Sequence, residues 1–180
     1  MGAFLAVLLF LGSPPADLTA LSSPEPERRV ATLTVLRKLE GPHPELVGPV
    51  ANVLTDDVMA VRRAAAYTLA QLAVGLGCKP IDFLNCQVFP PLFDNLPVRQ
   101  TKLQLRYPEN AKQSRIQGSV IVQFLIGEDG SVADVTLLRG ERILAEPVLK
   151  ALMSQRYKPA RRNGHDVPFA YVFEASFRLS

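Results

Sequence analysis

The chain has 180 residues, a hydrophobic content of 48% and a formal net charge of +3, which fits one or two globular domains. The charge is uneven: Arg99 to Ser180 carries 13 basic and 8 acidic residues, hence +5, while Met1 to Val98 carries 7 and 9, hence −2. With no Trp, no interleaving of aromatic and basic residues and no basic run longer than Arg161-Arg162, the basic half reads as a solvated surface and not as a nucleic-acid platform.

Reactive chemistry is sparse. His43 and His165 lie far apart beside Pro- or Gly-containing loops, in no spacing that makes a metal site. No Gly-rich phosphate loop and no nucleophile elbow occurs. The expectation is a protein without catalytic residues, metal, cofactor or small-molecule substrate.

Ala3 to Leu11 is a run of nine apolar residues, followed by Gly12-Ser13-Pro14-Pro15. Spanning a bilayer takes about 20 apolar residues, whereas a run this short suits the core of a secretory signal. Ala20-Leu21-Ser22 offers a small-x-small cleavage site and Ala16 a second one, so residues 1–22 are predicted to be a signal peptide. No Lys or Arg precedes the run, and a buried N-terminal helix is the rival reading. Ser22 to Glu27 follows as a proline-containing linker.

From Glu27 the helical period takes over. Val30, Leu33, Leu36 and Leu39 form one apolar stripe, and Gly41-Pro42 breaks the helix. Leu46, Val47, Val50, Val53 and Leu54 form a second. Thr55-Asp56-Asp57 separates that from a third, which begins near Asp57 or Val58 and runs to about Val74. The segment repeats weakly at an offset of 33: Arg29, Ala31, Leu36 and Leu39 recur as Arg62, Ala64, Leu69 and Leu72. An acidic turn followed by Val61-Arg62 and small Ala residues resembles a HEAT-type repeat, over residues 27–74. That span holds one full repeat and the second helix of a preceding one. A generic three-helix segment is the plainer alternative.

Residues 75–98 read as a connector containing Gly75, Gly77, Pro80, Pro90, Pro91 and Pro97. It holds the two cysteines, Cys78 and Cys86. In an exported chain they close a short disulfide loop; in a reducing compartment they are buried thiols. Export makes the disulfide the expected state.

The last domain is placed at residues 99–180. Thr101, Leu103 and Leu105 alternate with polar residues as a short strand, and Pro108 to Arg115 reads as a short helix. Val120, Val122, Phe124 and Ile126 alternate as a strand with one well-buried face. Asp129-Gly130 predicts a two-residue hairpin turn, and Val132, Val135 and Leu137 carry the chain back. The step of three from Val132 to Val135 predicts a bulge. Ile143, Leu144, Val148, Ala151 and Leu152 give a helix face, started at about Ala145 so that Pro147 falls in the first turn. Asn163-Gly164 signals a turn. From Asp166 to Arg178 the odd residues Val167 to Phe177 are apolar, the last strand.

Tyr107-Pro108, Ala111, Gly118-x-Val120-x-Val122-x-Phe124, Asp129-Gly130-x-Val132-x-x-Val135, Arg156-Tyr157-Lys158-Pro159-Ala160 and Gly164-x-x-Val167-Pro168 stand in one order. In that order they resemble the C-terminal domain of the TonB family, over about Tyr107 to Leu179. The resemblance implies an α+β fold with two helices on an antiparallel sheet. It also implies a non-catalytic periplasmic protein that adds a partner's peptide, such as the TonB box of an outer-membrane transporter, to an edge strand. Energy-transducing members have a membrane-spanning N-terminal helix and a long Pro-rich spacer, which the residues read here do not supply. On the last strand the odd residues hold the core, leaving Ala170, Val172, Glu174 and Ser176 as the candidate partner-binding residues. Partners implied are a TonB-dependent transporter or another envelope protein, with peptidoglycan as a further candidate. An envelope scaffold or cell-wall adaptor without energy transduction is the alternative function.

Overall fold

The computed structural model describes residues 17–179, so the Ala3–Leu11 run, read as a signal, lies outside the described residues. The end of the predicted 1–22 signal does not: Leu18–Ser22 form a 3₁₀ helix that buries Leu21 in the core, which counts against cleavage at Ala20-Leu21-Ser22. The helical stripes form as their spacing dictates: α1 is Pro26–Leu36, α2 is Pro44–Asn52 and α3 is Met59–Gly75. Leu33, Leu36, Leu46, Val50, Val61 and Ala65 are fully buried between them. Positive φ at Gly41 and Gly77 ends the stretches after α1 and α3.

The 33-residue offset has a direct counterpart in hydrogen bonding. Arg29 Nη1 donates to the carbonyls of Ser23 and Pro24, six and five residues back, at 2.7 and 3.4 Å. Its counterpart Arg62 donates through Nη1 to the carbonyls of Asp56 and Asp57, again six and five back, at 2.9 and 3.1 Å. Each arginine then reaches an acid in the following layer. Arg29 Nη2 donates to Asp56 Oδ1 at 2.9 Å, and Arg62 Nε donates to Glu128 Oε1 at 2.7 Å. Glu128 belongs to the C-terminal domain, whose hairpin loop therefore takes the place of the next repeat's acidic turn.

That domain is built on a three-stranded antiparallel sheet ordered β3-β2-β7, with β2 Gly118–Ile126, β3 Val132–Arg139 and β7 Phe169–Phe177. Val120, Val122, Phe124 and Ile126 pack on one face against Leu144, Val148 and Leu152 of α5 (Arg142–Met153) and Ala111 of α4 (Glu109–Gln113). The opposite face, with Leu125, Ala170 and Val172, packs into the core of the helical repeat. Two short pairs complete the sheets: β1 Val98–Arg99 with β4 Tyr157–Lys158, and β5 Ala160–Arg162 with β6 His165–Val167.

Several local expectations are corrected. Thr101 to Leu105 joins no ladder, because the strand that pairs is Val98–Arg99 and the last main-chain bond to the β4 side is Gln100 N–H to Arg156 O. The alternation there is real, since Leu103 and Leu105 tuck against the core. The helix α5 starts at Arg142, so Pro147 lies inside it, where it removes the donor that Ile143 would otherwise receive. The β2–β3 loop is longer than two residues. Gly127 N–H donates to Ser131 O at 2.8 Å, and only Gly130, at φ +76°, takes positive φ. The predicted bulge is present, with Leu125 opposite Asp134 and Ile126 opposite Val132, leaving Ala133 unpaired. Asn163 and Gly164, at φ +50° and +78°, make the two-residue turn of the β5–β6 hairpin. Pro168 divides the last strand into β6 and β7.

Residues 75–98 are no spacer. A 3₁₀ helix, Pro80–Asn85, buries Phe83, and Phe89 and Phe93 follow it into the core. Cys78 and Cys86 are joined as a disulfide with Cα atoms 5.5 Å apart, closing the loop around that helix. Removing the bond by a Cys78→Ser, Cys86→Ser double substitution is expected to lower stability by about 2–3 kcal/mol on the chain-entropy account. The check is the urea midpoint of wild type against variant, without reductant.

Candidate functional site

An edge strand needs a free flank and a rigid seat to serve as a template. β7 is held on one flank by nine register pairs with β2, from Gly118 opposite Phe177 to Ile126 opposite Phe169. Its other flank has no strand neighbour among the described residues. Below it, Ala175 and Phe177 pack into the α5 core, and Phe177 stacks edge-on with Tyr107 at 5.4 Å between centroids. Tyr107 is fixed by its hydroxyl, which donates to Ile116 O at 2.7 Å.

The candidate residues divide into two pairs. Ala170 lies against Ala66, Leu69 and Ala70 of α3, and Val172 is 2% exposed in the same joint. The small side chains of α3 let the helix approach the sheet this closely. Glu174 is half-buried opposite Ile121, and Ser176 is exposed with its Oγ 2.8 Å from Ser119 Oγ across the ladder. A partner approaching β7 therefore meets its main chain and the Glu174–Ser176 end, because the helical repeat already covers Ala170 and Val172.

The joint is polar at its rim. Tyr67 Oη donates to Asp134 Oδ2 at 2.7 Å, and Arg162 Nη2 donates to Asn52 Oδ1 at 2.8 Å. Burial, then the bond to Asp134, raises the Tyr67 phenol far above its ordinary range, so it stays a donor. Tyr157, which seats the hairpin tip by donating its N–H to Gly130 O at 2.9 Å, is pushed up to about 12 by burial. Tyr171 is raised by burial too, with Arg99 opposing.

The residues that sequence reasoning missed are in residues 75–98. Phe83 stacks on Tyr171 at 5.7 Å, and Phe89 and Phe93 meet Phe169 at 5.1 and 5.4 Å. The signal was available: three of the chain's nine Phe residues fall between Cys78 and Pro97, which a solvated linker would not carry. Among the described residues no helix is long and apolar enough to cross a membrane, and no three His, Cys, Asp or Glu side chains converge as metal ligands.

Residues 104–179 match the family model described as Gram-negative bacterial TonB protein C-terminal, and residues 46–76 match the HEAT repeat. No curated protein matches the chain. Among solved structures, one similar to this chain is the solution NMR structure of the Pseudomonas aeruginosa TonB CTD. It is 25% identical, covers 48% of this chain and 90% of its own, and has a TM-score of 0.42. The family models match both resemblances read from the residues on their own segments, TonB C-terminal at 104–179 and HEAT at 46–76, the latter without the preceding residues 27–45.

Proposed function

We propose that the chain is a non-catalytic binding protein of the cell envelope that adds a partner's extended peptide to the flank of β7 that has no strand neighbour, beyond the Phe169–Tyr171 end on which residues 83–93 pack. The observation that carries this reading is the sheet order β3-β2-β7, which leaves a nine-residue strand with one unpaired flank in a TonB-type domain. Strand addition draws its affinity from main-chain hydrogen bonds, which suits a site whose central side chains are already buried. The partner proposed is an outer-membrane transporter presenting a TonB box, with the chain exported to the periplasm. The rival is an envelope scaffold or cell-wall adaptor that keeps the fold without transporting energy.

A transporter-plug peptide titrated onto the full chain tests this by hydrogen exchange. Binding is expected to slow exchange at the β7 amides that point away from β2. A peptide N-methylated at alternate positions is expected to lose binding, whereas exchanging its side chains for others of similar β propensity should cost less than about tenfold. Binding with β7 exchange unchanged would remove strand addition at β7. Retention by peptidoglycan, with the plug peptide failing to compete, would favour the adaptor.

A further inference from the structure

A second groove lies away from β7, between the segment Thr101–Tyr107 and α5. Lys102, Gln104 and Arg106 line one wall, and Lys150 and Ser154 line the other over Pro147 and Ala151. The groove encloses about 440 Å³. It follows from the alternation of the segment: Leu103, Leu105 and Tyr107 pack half-buried against the core, which leaves Lys102, Gln104 and Arg106 exposed.

Two observations set this groove apart. First, Lys102, Arg106 and Lys150 form no ion pair with any carboxylate among the described residues, and no acid lines the groove. The nearest acids along their own elements are engaged elsewhere, Glu146 with Arg142 at 3.9 Å and Glu109 with Lys112 at 2.8 Å. Three like charges facing one cleft repel each other until an anion enters. Second, no backbone N–H or C=O of Lys102 to Tyr107 has a hydrogen-bond partner among the described residues, and the segment belongs to no helix or strand. Its ends are pinned: Gln100 N–H donates to Arg156 O at 2.8 Å, Thr101 Oγ1 donates to Gln155 Oε1 at 2.9 Å, and the helix α4 begins at Glu109.

We infer that this groove binds an acidic peptide in extended conformation, independently of the β7 edge. Free main-chain groups call for a peptide and not merely for an anion. Alternate residues on a strand repeat about every 7 Å, so acids at every second position of the peptide meet Lys102 and Arg106 along one wall while the floor of Pro147 and Ala151 takes small apolar side chains. The groove thereby gives the basic C-terminal domain a defined ligand class.

The test uses the full chain and a fluorescein-labelled peptide of alternating Glu and Ala, followed by anisotropy and by NMR shift mapping. Binding is expected to weaken as salt rises and to shift amides of residues 101–107 and 150–154 without shifting those of β7. A Lys102→Gln, Arg106→Gln, Lys150→Gln triple variant, all at exposed positions, is expected to bind about tenfold more weakly with an unchanged melting temperature. A peptide with Gln for every Glu is expected not to bind. Unchanged affinity in the triple variant would overturn the assignment, as would shifts confined to β7. Binding of an anionic polysaccharide as tight as the peptide's, with N-methylation of the peptide costing nothing, would overturn the peptide in favour of charge alone.

Discussion

Phe83→Ala is expected to lower the stability of the full chain by about 3–5 kcal/mol. The side chain is fully buried, it centres the 3₁₀ helix closed by Cys78 and Cys86, and its ring meets Phe89 at 5.1 Å and Tyr171 at 5.7 Å. Truncation leaves a cavity among rings that are themselves anchored on β7 and cannot easily collapse. Phe83→Leu, which keeps most of the volume, is expected to cost less, roughly 1–1.5 kcal/mol. Urea unfolding of the three proteins measures both. A loss below 1 kcal/mol in the alanine variant would mean that residues 75–98 pack loosely on β7.

Arg29→Met is expected to cost about 3 kcal/mol near neutral pH, because it leaves Asp56 charged and nearly buried without its partner. The two side chains are 9% and 11% exposed. Burial alone raises the Asp56 carboxyl, but the Val58 N–H and Arg29 outweigh it and hold the group below its ordinary 3.8. The sign then follows from linkage. A lowered folded value contributes stability that is present above the unfolded value and is lost as pH falls through the folded one. In the variant the lowering is relieved, so the gap between wild type and Arg29→Met should narrow below about pH 4. Thermal melts at neutral pH and at pH 3 decide this. A gap that stays constant would assign the loss to packing of the arginine stem instead.

The C-terminal domain was legible because its motifs are local. Asn163-Gly164 makes its turn from two residues, and the Val132 to Val135 step announces the bulge at Ala133 within one strand. Legibility failed where a third element decides. Leu103 and Leu105 alternate like a strand, yet nothing in the local pattern says that no neighbour lies beside them. Ala170 and Val172 looked outward because an isolated domain has two sheet faces and only α4 and α5 to cover one. The helical repeat covers the other, and that pairing is stored in α3, which ends at Gly75, well before the domain begins at residue 99. Pro147 illustrates the opposite limit: the helix start at Arg142 follows Glu141 rather than the proline's preferred place.

The joint between repeat and sheet has a thermodynamic consequence. One apolar cluster runs from Leu21 through α3 and Phe89 to Leu125 and Val172 on one face of the sheet, while a second, with α4 and α5, fills the other face, so the helices and the sheet share the first core. Melting α3 uncovers β7, and melting β7 strips α3 of its packing surface. Folding free energy is thus pooled between the two segments, and the cooperative unit is larger than either family segment. A partner that holds β7 in its paired form also raises the free energy needed to open the helices, although it touches none of them.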